Sequence, residues 1–110
     1  MRFKKEHLLL YAITDQSFTG RQTLQEQIKE ALEGGVTMLQ LREKNMEETA
    51  FIEEAREIKK LCEPYRVPLI INDNVEVALK SGADGVHVGI DDAPVAQIRA
   101  MAANNFIIGA

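Results

Sequence analysis

The chain has 110 residues, 45% of them apolar and 27% charged, which is enough for one domain with a modest core. Its formal net charge of −4 argues against a nucleic-acid-binding surface, and no apolar run approaches the ~18 residues of a membrane span. Cys62 is the sole cysteine, so no internal disulfide can form and the cytoplasm is the expected compartment.

The first residues place Arg2, Lys4 and Lys5 before an apolar run, as a signal peptide does. That run is too short, and Thr14–Asp15 ends it where small residues would mark a cleavage site. Leu8–Thr14 is read instead as a first strand, followed by a polar loop, Asp15–Gly20. Thr23 and Glu26 have capping-box spacing, and Leu24, Ile28, Ala31 and Leu32 form a helical stripe ended by Gly34–Gly35. Val36–Leu41 predicts a second strand. Asn45, with Glu48 three residues on, predicts the start of a second helix running to about Cys62. Its apolar face is Phe51, Ile52, Ala55, Ile58 and Leu61. Glu63–Pro64 breaks that helix, and Val67–Pro68 leads into a third strand, Leu69–Ile71.

A short third helix runs from Val75 to about Ser81 and stops at Gly82, before a fourth strand, Gly85–Val88. Pro94 lies in the first turn of a fourth helix presenting Val95, Ile98, Met101 and Ala102. Phe106–Ile108 predicts a fifth strand. Strands alternating with helices in this way predict an α/β fold built on a parallel sheet. The expected architecture is a parallel (β/α) barrel of TIM type. A complete barrel needs eight units and typically ~250 residues. The chain holds about four and a half, a single domain amounting to a half-barrel.

Sites in such folds gather at the carboxyl ends of the strands. Asn72–Asp73 follows the third strand and Asp91–Asp92 the fourth, so two acidic turns share one rim, close enough for one cation. Gln40, Arg42 and Lys44 alternate along the second strand's end and share a face opposite Leu41. A planar guanidinium fork beside a mobile ammonium suits a diphosphate. A plainer account has these cations paired with Glu43, Glu47 or Glu48 at a solvated strand end. Asp73 and Asp92 likewise have helix-cap spacing, though caps leave Asn72 and Asp91 unexplained. Gly85 and Gly89 flank His87 on its own face and leave room for an inward imidazole. A hydrogen-bonded core position is the favoured role for it. Cys62 falls on a helical stripe as core, and Asp84 as a turn residue.

Four segments, Tyr11–Asp15, Gln40–Lys44, Ile71–Asp73 and Ala83–Asp92, resemble the thiamine phosphate synthases in order and approximate spacing. Members of that family join a hydroxymethylpyrimidine diphosphate to a thiazole phosphate and release diphosphate. The resemblance implies that Gln40 hydrogen-bonds the aminopyrimidine and that Arg42, Lys44 and Asn72 hold the diphosphate. It also implies that Asp73 and Asp92 bind magnesium. The related thiazole tautomerases share the fold but generally lack the Gln-Leu-Arg-x-Lys run and the acidic pair.

Two departures stand out. Ile90 occupies a position where the family usually has glutamine. The resemblance also covers only the N-terminal half of the family's barrel, ending before the serine-containing loop that follows strand five. Two readings stay open, a synthase (or part of one) and a non-catalytic half-barrel keeping only the magnesium–diphosphate half site. In either, a half-barrel is expected to expose strand edges and the inward residues Val36, Met38 and Ile70, together with the apolar parts of strand one. Self-association or a partner chain would cover them, and turnover by the chain alone is not expected.

Overall fold

The structure is a computed structural model and describes residues 2–15, 22–89 and 94–110. Among the described residues five short strands, β1 (Tyr11–Ile13), β2 (Met38–Leu41), β3 (Leu69–Asn72), β4 (Gly85–His87) and β5 (Ile107–Gly109), alternate with four helices. The helices are α1 (Leu24–Glu33), α2 (Glu48–Cys62), α3 (Val75–Ser81) and α4 (Val95–Met101). Thr23 caps α1, its hydroxyl accepting from the Glu26 amide at 3.1 Å, and the backbone turns past it at Gly35 with φ of 101°. Gly82 ends α3 in the left-handed conformation, φ 78°, where a side chain would be strained.

All strand pairs are parallel, in the order β1-β2-β3-β4-β5. Because sequential strands are spatial neighbours, every crossover moves the same way across the sheet. The buried residues of all four helices join Leu39, Leu41, Leu69, Ile71 and Val86 in one core, so the helices lie on one face of the sheet. This is winding of the barrel kind rather than the two-faced winding of an open nucleotide-binding sheet. The opposite, inward face carries a smaller cluster, Met38, Ile70 and Ile107 with Tyr11 packed against it. Asp84 precedes β4 as more than a turn residue: its buried carboxylate accepts from Lys59 Nζ at 2.6 Å and the Leu69 amide at 2.8 Å. Those two bonds tie α2 and β3 to the entry of β4.

Several expectations are corrected. Residues Lys5–Leu8 form a 3-10 turn and β1 starts only at Tyr11. Thr37 explains this: its hydroxyl donates to the His7 carbonyl at 2.7 Å and accepts from the Leu10 amide at 2.8 Å, holding the segment bent. Asn45 does not cap α2. The helix begins at Glu48 behind Glu47, and Met46 just before it packs on the core. On α2, Cys62 is fully buried and Ile52 and Leu61 are only partly so. On α4 only Ile98 is buried, whereas Val95 and Met101 face outward. A 3-10 turn, Glu63–Tyr65, follows α2. Strands β2, β3, β4 and β5 differ from expectation by one or two residues at their ends, as strand ends often do.

The expected uncovered patch is also different in composition. Val36 belongs to the helix-side core, and Met38 and Ile70 are 3% and 1% exposed. The expected apolar parts of the first strand are exposed, at Leu8, Leu9, Leu10 and Ile13 along the β1 edge. No helix among the described residues is long and apolar enough to cross a membrane.

Candidate functional site

The carboxyl ends of β1, β2 and β3 are knit together by side chains. Thr14, buried just past β1, accepts from the Arg42 amide at 2.9 Å, while its own amide donates to the Gln40 carbonyl at 2.9 Å. These bonds continue the β1–β2 pairing past the strands and fix where Arg42 leaves the sheet. Gln40 is buried on the inward face, and Leu41 on the helix face, as alternation requires. The Gln40 amide donates to the Tyr11 hydroxyl at 2.9 Å and accepts from Asn72 Nδ2 at 2.8 Å. Three adjacent strands thus contribute to one polar chain across the inward face. Burial raises the Tyr11 hydroxyl above its usual range, and the bond from Gln40 partly offsets this.

Arg42 is half-buried, and among the described residues no ion pair or hydrogen bond holds its guanidinium. Lys44 is exposed, and its Nζ lies 3.8 Å from the Asp73 carboxylate. Among the described residues the ion pair at this strand end joins Lys44 to Asp73, on the next strand's loop, and not to the glutamates beside it. Asp73 has φ of 64°, the left-handed region that every side chain enters at some cost, Asn and Asp at the least. Its amide donates to the His87 carbonyl at 2.8 Å, which anchors the turn to β4. The cap of α3 is Asn74, whose Oδ1 accepts from the Val77 amide at 3.0 Å. The cap role expected of Asp73 thus falls to its neighbour, and the Asp73 carboxylate is left facing Lys44. Asp92, Asp91 and Ile90 lie outside the described residues.

His87 sits beside Asn72 in the β3–β4 register and beside Gly109 in the β4–β5 register. No described residue hydrogen-bonds its imidazole, which lines a hollow on the inward face. Its space comes from the neighbouring strand: a Cβ on Gly109 would stand 2.6 Å from His87 Nδ1. Gly85 has another task, since a Cβ there would meet the backbone of Ile107. The hollow measures about 540 Å³ and is lined by Tyr11, Met38, Ile70 and His87, with Arg2 and Arg99 among its outer walls. None of Arg42, Lys44 or Asp73 lines it. It is the open inward side of the sheet, and the ligand chemistry is better sought on the rim, where unlike charges and a strained turn meet.

Behind the rim, Glu54 of α2 shares a hydrogen bond with Glu43, and Glu57 adds further negative charge. Burial and those neighbours push the Glu54 carboxyl up to about 8. Glu54 Oε1 is buried without a partner among the described residues. Cys62 is pushed up to about 12 by burial, which suits a core thiol and not a nucleophile. Among the described residues no three His, Cys, Asp or Glu side chains converge as a ready-made metal site. Tyr11 and Thr14 were given no separate role by the sequence. Their part depends on the β1–β2 register, which a single sequence does not display; the inward alternation of Tyr11 and Ile13 is the nearest signal.

A singly wound parallel α/β sheet with its free charges on the carboxyl rim defines part of a (β/α) barrel. Within that class, residues 10–110 match the family model described as thiamine monophosphate synthase, and the chain belongs to that family. It is 45% identical over 100 residues to a thiamine-phosphate synthase of Clostridium acetobutylicum, covering 91% of this chain and 47% of the relative. It is 44% identical to a thiamine biosynthetic bifunctional enzyme of Saccharomyces cerevisiae, covering 99% of this chain and 21% of that one. A solved thiamine phosphate pyrophosphorylase from Pyrococcus furiosus superposes with a TM-score of 0.86 at 38% identity, over 94% of this chain and 50% of that one. The chain thus spans about half the length of the thiamine-phosphate synthases it matches.

Proposed function

We propose that this chain carries the pyrimidine-diphosphate half of a thiamine-phosphate synthase, a transferase of thiamine biosynthesis acting in the cytoplasm. Gln40 meets the aminopyrimidine, Arg42, Lys44 and Asn72 meet the diphosphate, and Asp73 with Asp92 holds Mg2+. The observation that carries this reading is Asp73. Its carboxylate is released from capping by Asn74 and set opposite Lys44 by a strained backbone, a combination that stability alone does not call for. A hard, half-exposed carboxylate oxygen suits magnesium, which takes one or two carboxylates and completes its shell with phosphate oxygens and water. When bound, the ion would supply charge to the departing diphosphate.

The rest is done by the chain's own residues. Arg42 presents a fork with no competing partner among the described residues, so it engages a diphosphate without first breaking an ion pair. Lys44 exchanges a weak exposed contact with Asp73 for a phosphate oxygen. Both stabilise negative charge as the bond to the pyrimidine methylene breaks. The thiazole phosphate is the second substrate of the reaction so proposed.

Because the chain spans about half of its relatives, a second reading is a binding half-barrel that keeps only this half site. The exposed Leu8, Leu9, Leu10 and Ile13 along the β1 edge favour self-association or a partner that completes the barrel. Calorimetry with magnesium and hydroxymethylpyrimidine diphosphate tests the half site, and an assay with both substrates tests whether the chain turns over alone. Turnover supports the synthase over the binding half-barrel, binding without turnover fits the half site in either reading, and no binding removes both. Sedimentation at micromolar concentration tests the association, which a clean monomer would refute.

A further inference from the structure

The polar chain across the inward face joins Tyr11, Gln40 and Asn72, one residue from each of three adjacent strands. Gln40 is 3% exposed, so only a sliver of its amide can meet a ligand. An amide has two donor protons and two acceptor lone pairs. One position on its nitrogen is taken by Tyr11 and one on its oxygen by Asn72. What remains is one N–H and one lone pair, the complement of a ring nitrogen beside an exocyclic amino group. The direction of that edge depends on both holding partners. Removing the one on β1 lets the amide rotate about its last torsion, and the small accessible edge moves with it.

We infer that Tyr11 is a positioning residue: its hydroxyl aims the Gln40 amide at the heterocycle of the substrate, so it sets recognition of the ring and not of the diphosphate. This rests on the pyrimidine-diphosphate reading given above and deepens it. Tyr11 is suited to the task by its surroundings. Its ring packs against Met38, Ile70 and Ile107, which fixes the phenol from the side, and burial keeps the hydroxyl in its neutral form. Arg42, Lys44 and Asp73 stand on the rim outside this chain of bonds, and Asn72 alone belongs to both, so most of the diphosphate's contacts do not depend on Tyr11.

The test is Tyr11→Phe, which keeps the packed ring and deletes only the hydroxyl. Two ligands are titrated in the presence of magnesium, hydroxymethylpyrimidine diphosphate and inorganic diphosphate. The variant should bind the first about five- to tenfold more weakly, the scale of one neutral hydrogen bond, and the second unchanged. Equal weakening of both ligands, or of neither, overturns the inference. If the unaltered chain binds neither ligand, the half-site reading has failed and the inference goes with it. A ligand-free readout stands beside these: the Gln40 side-chain amide protons, followed by NMR, should move toward free-amide positions in Tyr11→Phe. Unmoved resonances would refute the positioning role even if affinity fell.

Discussion

Lys44 Nζ and the Asp73 carboxylate face each other at 3.8 Å across the rim, although they belong to the loops after different strands. Both are about half exposed, 56% and 43%, so the pair adds little to stability. Its value lies in bringing a cation and an anion to one place. The first prediction separates the Asp73 carboxylate from its backbone. Glycine accepts φ of 64° freely, so Asp73→Gly should fold at least as stably as the parent. Asp73→Ala should lose up to about 1 kcal/mol to the strained conformation. Both should lose magnesium-dependent binding of the pyrimidine diphosphate in calorimetry. If both variants bind as tightly as the parent, the carboxylate is not a metal ligand.

Arg42 should matter for binding and not for folding, because only its backbone is engaged by described residues, at Thr14. Arg42→Met should hold the melting temperature within a few degrees and weaken diphosphate binding about tenfold or more, the scale of one charged hydrogen bond. Thermal melts and titrations on the same samples check it. A large drop in melting temperature with normal affinity would mark Arg42 as structural.

Much of the architecture was legible because β2, α1, α2 and α3 carry strong local signals. Thr23 caps, Gly82 stops, and the apolar stripes of Leu24–Leu32 and Phe51–Cys62 face one core, as their spacing requires. What failed was set by distant partners. The bend before β1 comes from Thr37, about thirty residues away, and no local pattern in Leu8–Leu10 encodes it. The same holds at the site. Alternation put Gln40 inward, but the bonds linking it to Tyr11 and Asn72 follow from strand register. For Asp73 the sequence offered cap spacing, and only the structure shows that its neighbour Asn74 takes the cap.

Glu54 gives the chain a stability that depends on pH. Its carboxyl sits at about 8 in the folded protein and at the usual 4.5 when free of its surroundings. A raised value means that the folded state holds the proton more tightly than the unfolded state. The contribution is therefore fully present below about pH 4.5 and is lost progressively as pH rises through about 8. Glu54→Gln keeps a hydrogen-bond donor toward Glu43 and cannot ionise. Its melting temperature should exceed the parent's by a few degrees at alkaline pH and converge with it in acid. Melts across that range check the claim, and parallel pH profiles for the two proteins would reject it. Glu57, which faces the same carboxyl and accepts from Gln25 at 3.0 Å, should shift the midpoint when changed to Gln without removing the slope.

The two inward glycines should respond differently to the same substitution. A methyl group on Gly85 would meet Ile107 Cβ at 2.7 Å and the Ile107 backbone beside it, where β4 and β5 approach. Strand backbone cannot yield without opening the pair, so Gly85→Ala should cost roughly 1–3 kcal/mol, the range for overpacking. A methyl group on Gly109 would meet only the edge of the His87 ring, at 2.6 Å from Nδ1. That ring lines the hollow and can turn into it, so Gly109→Ala should cost well under ~1 kcal/mol. Urea unfolding of the two variants measures the difference. Adding His87→Ala should remove the remaining cost of Gly109→Ala, because the clash has no other source within reach, and should leave that of Gly85→Ala unchanged. Equal losses at the two glycines, with no relief from His87→Ala, would show that β5 is held against β4 by something other than this close approach.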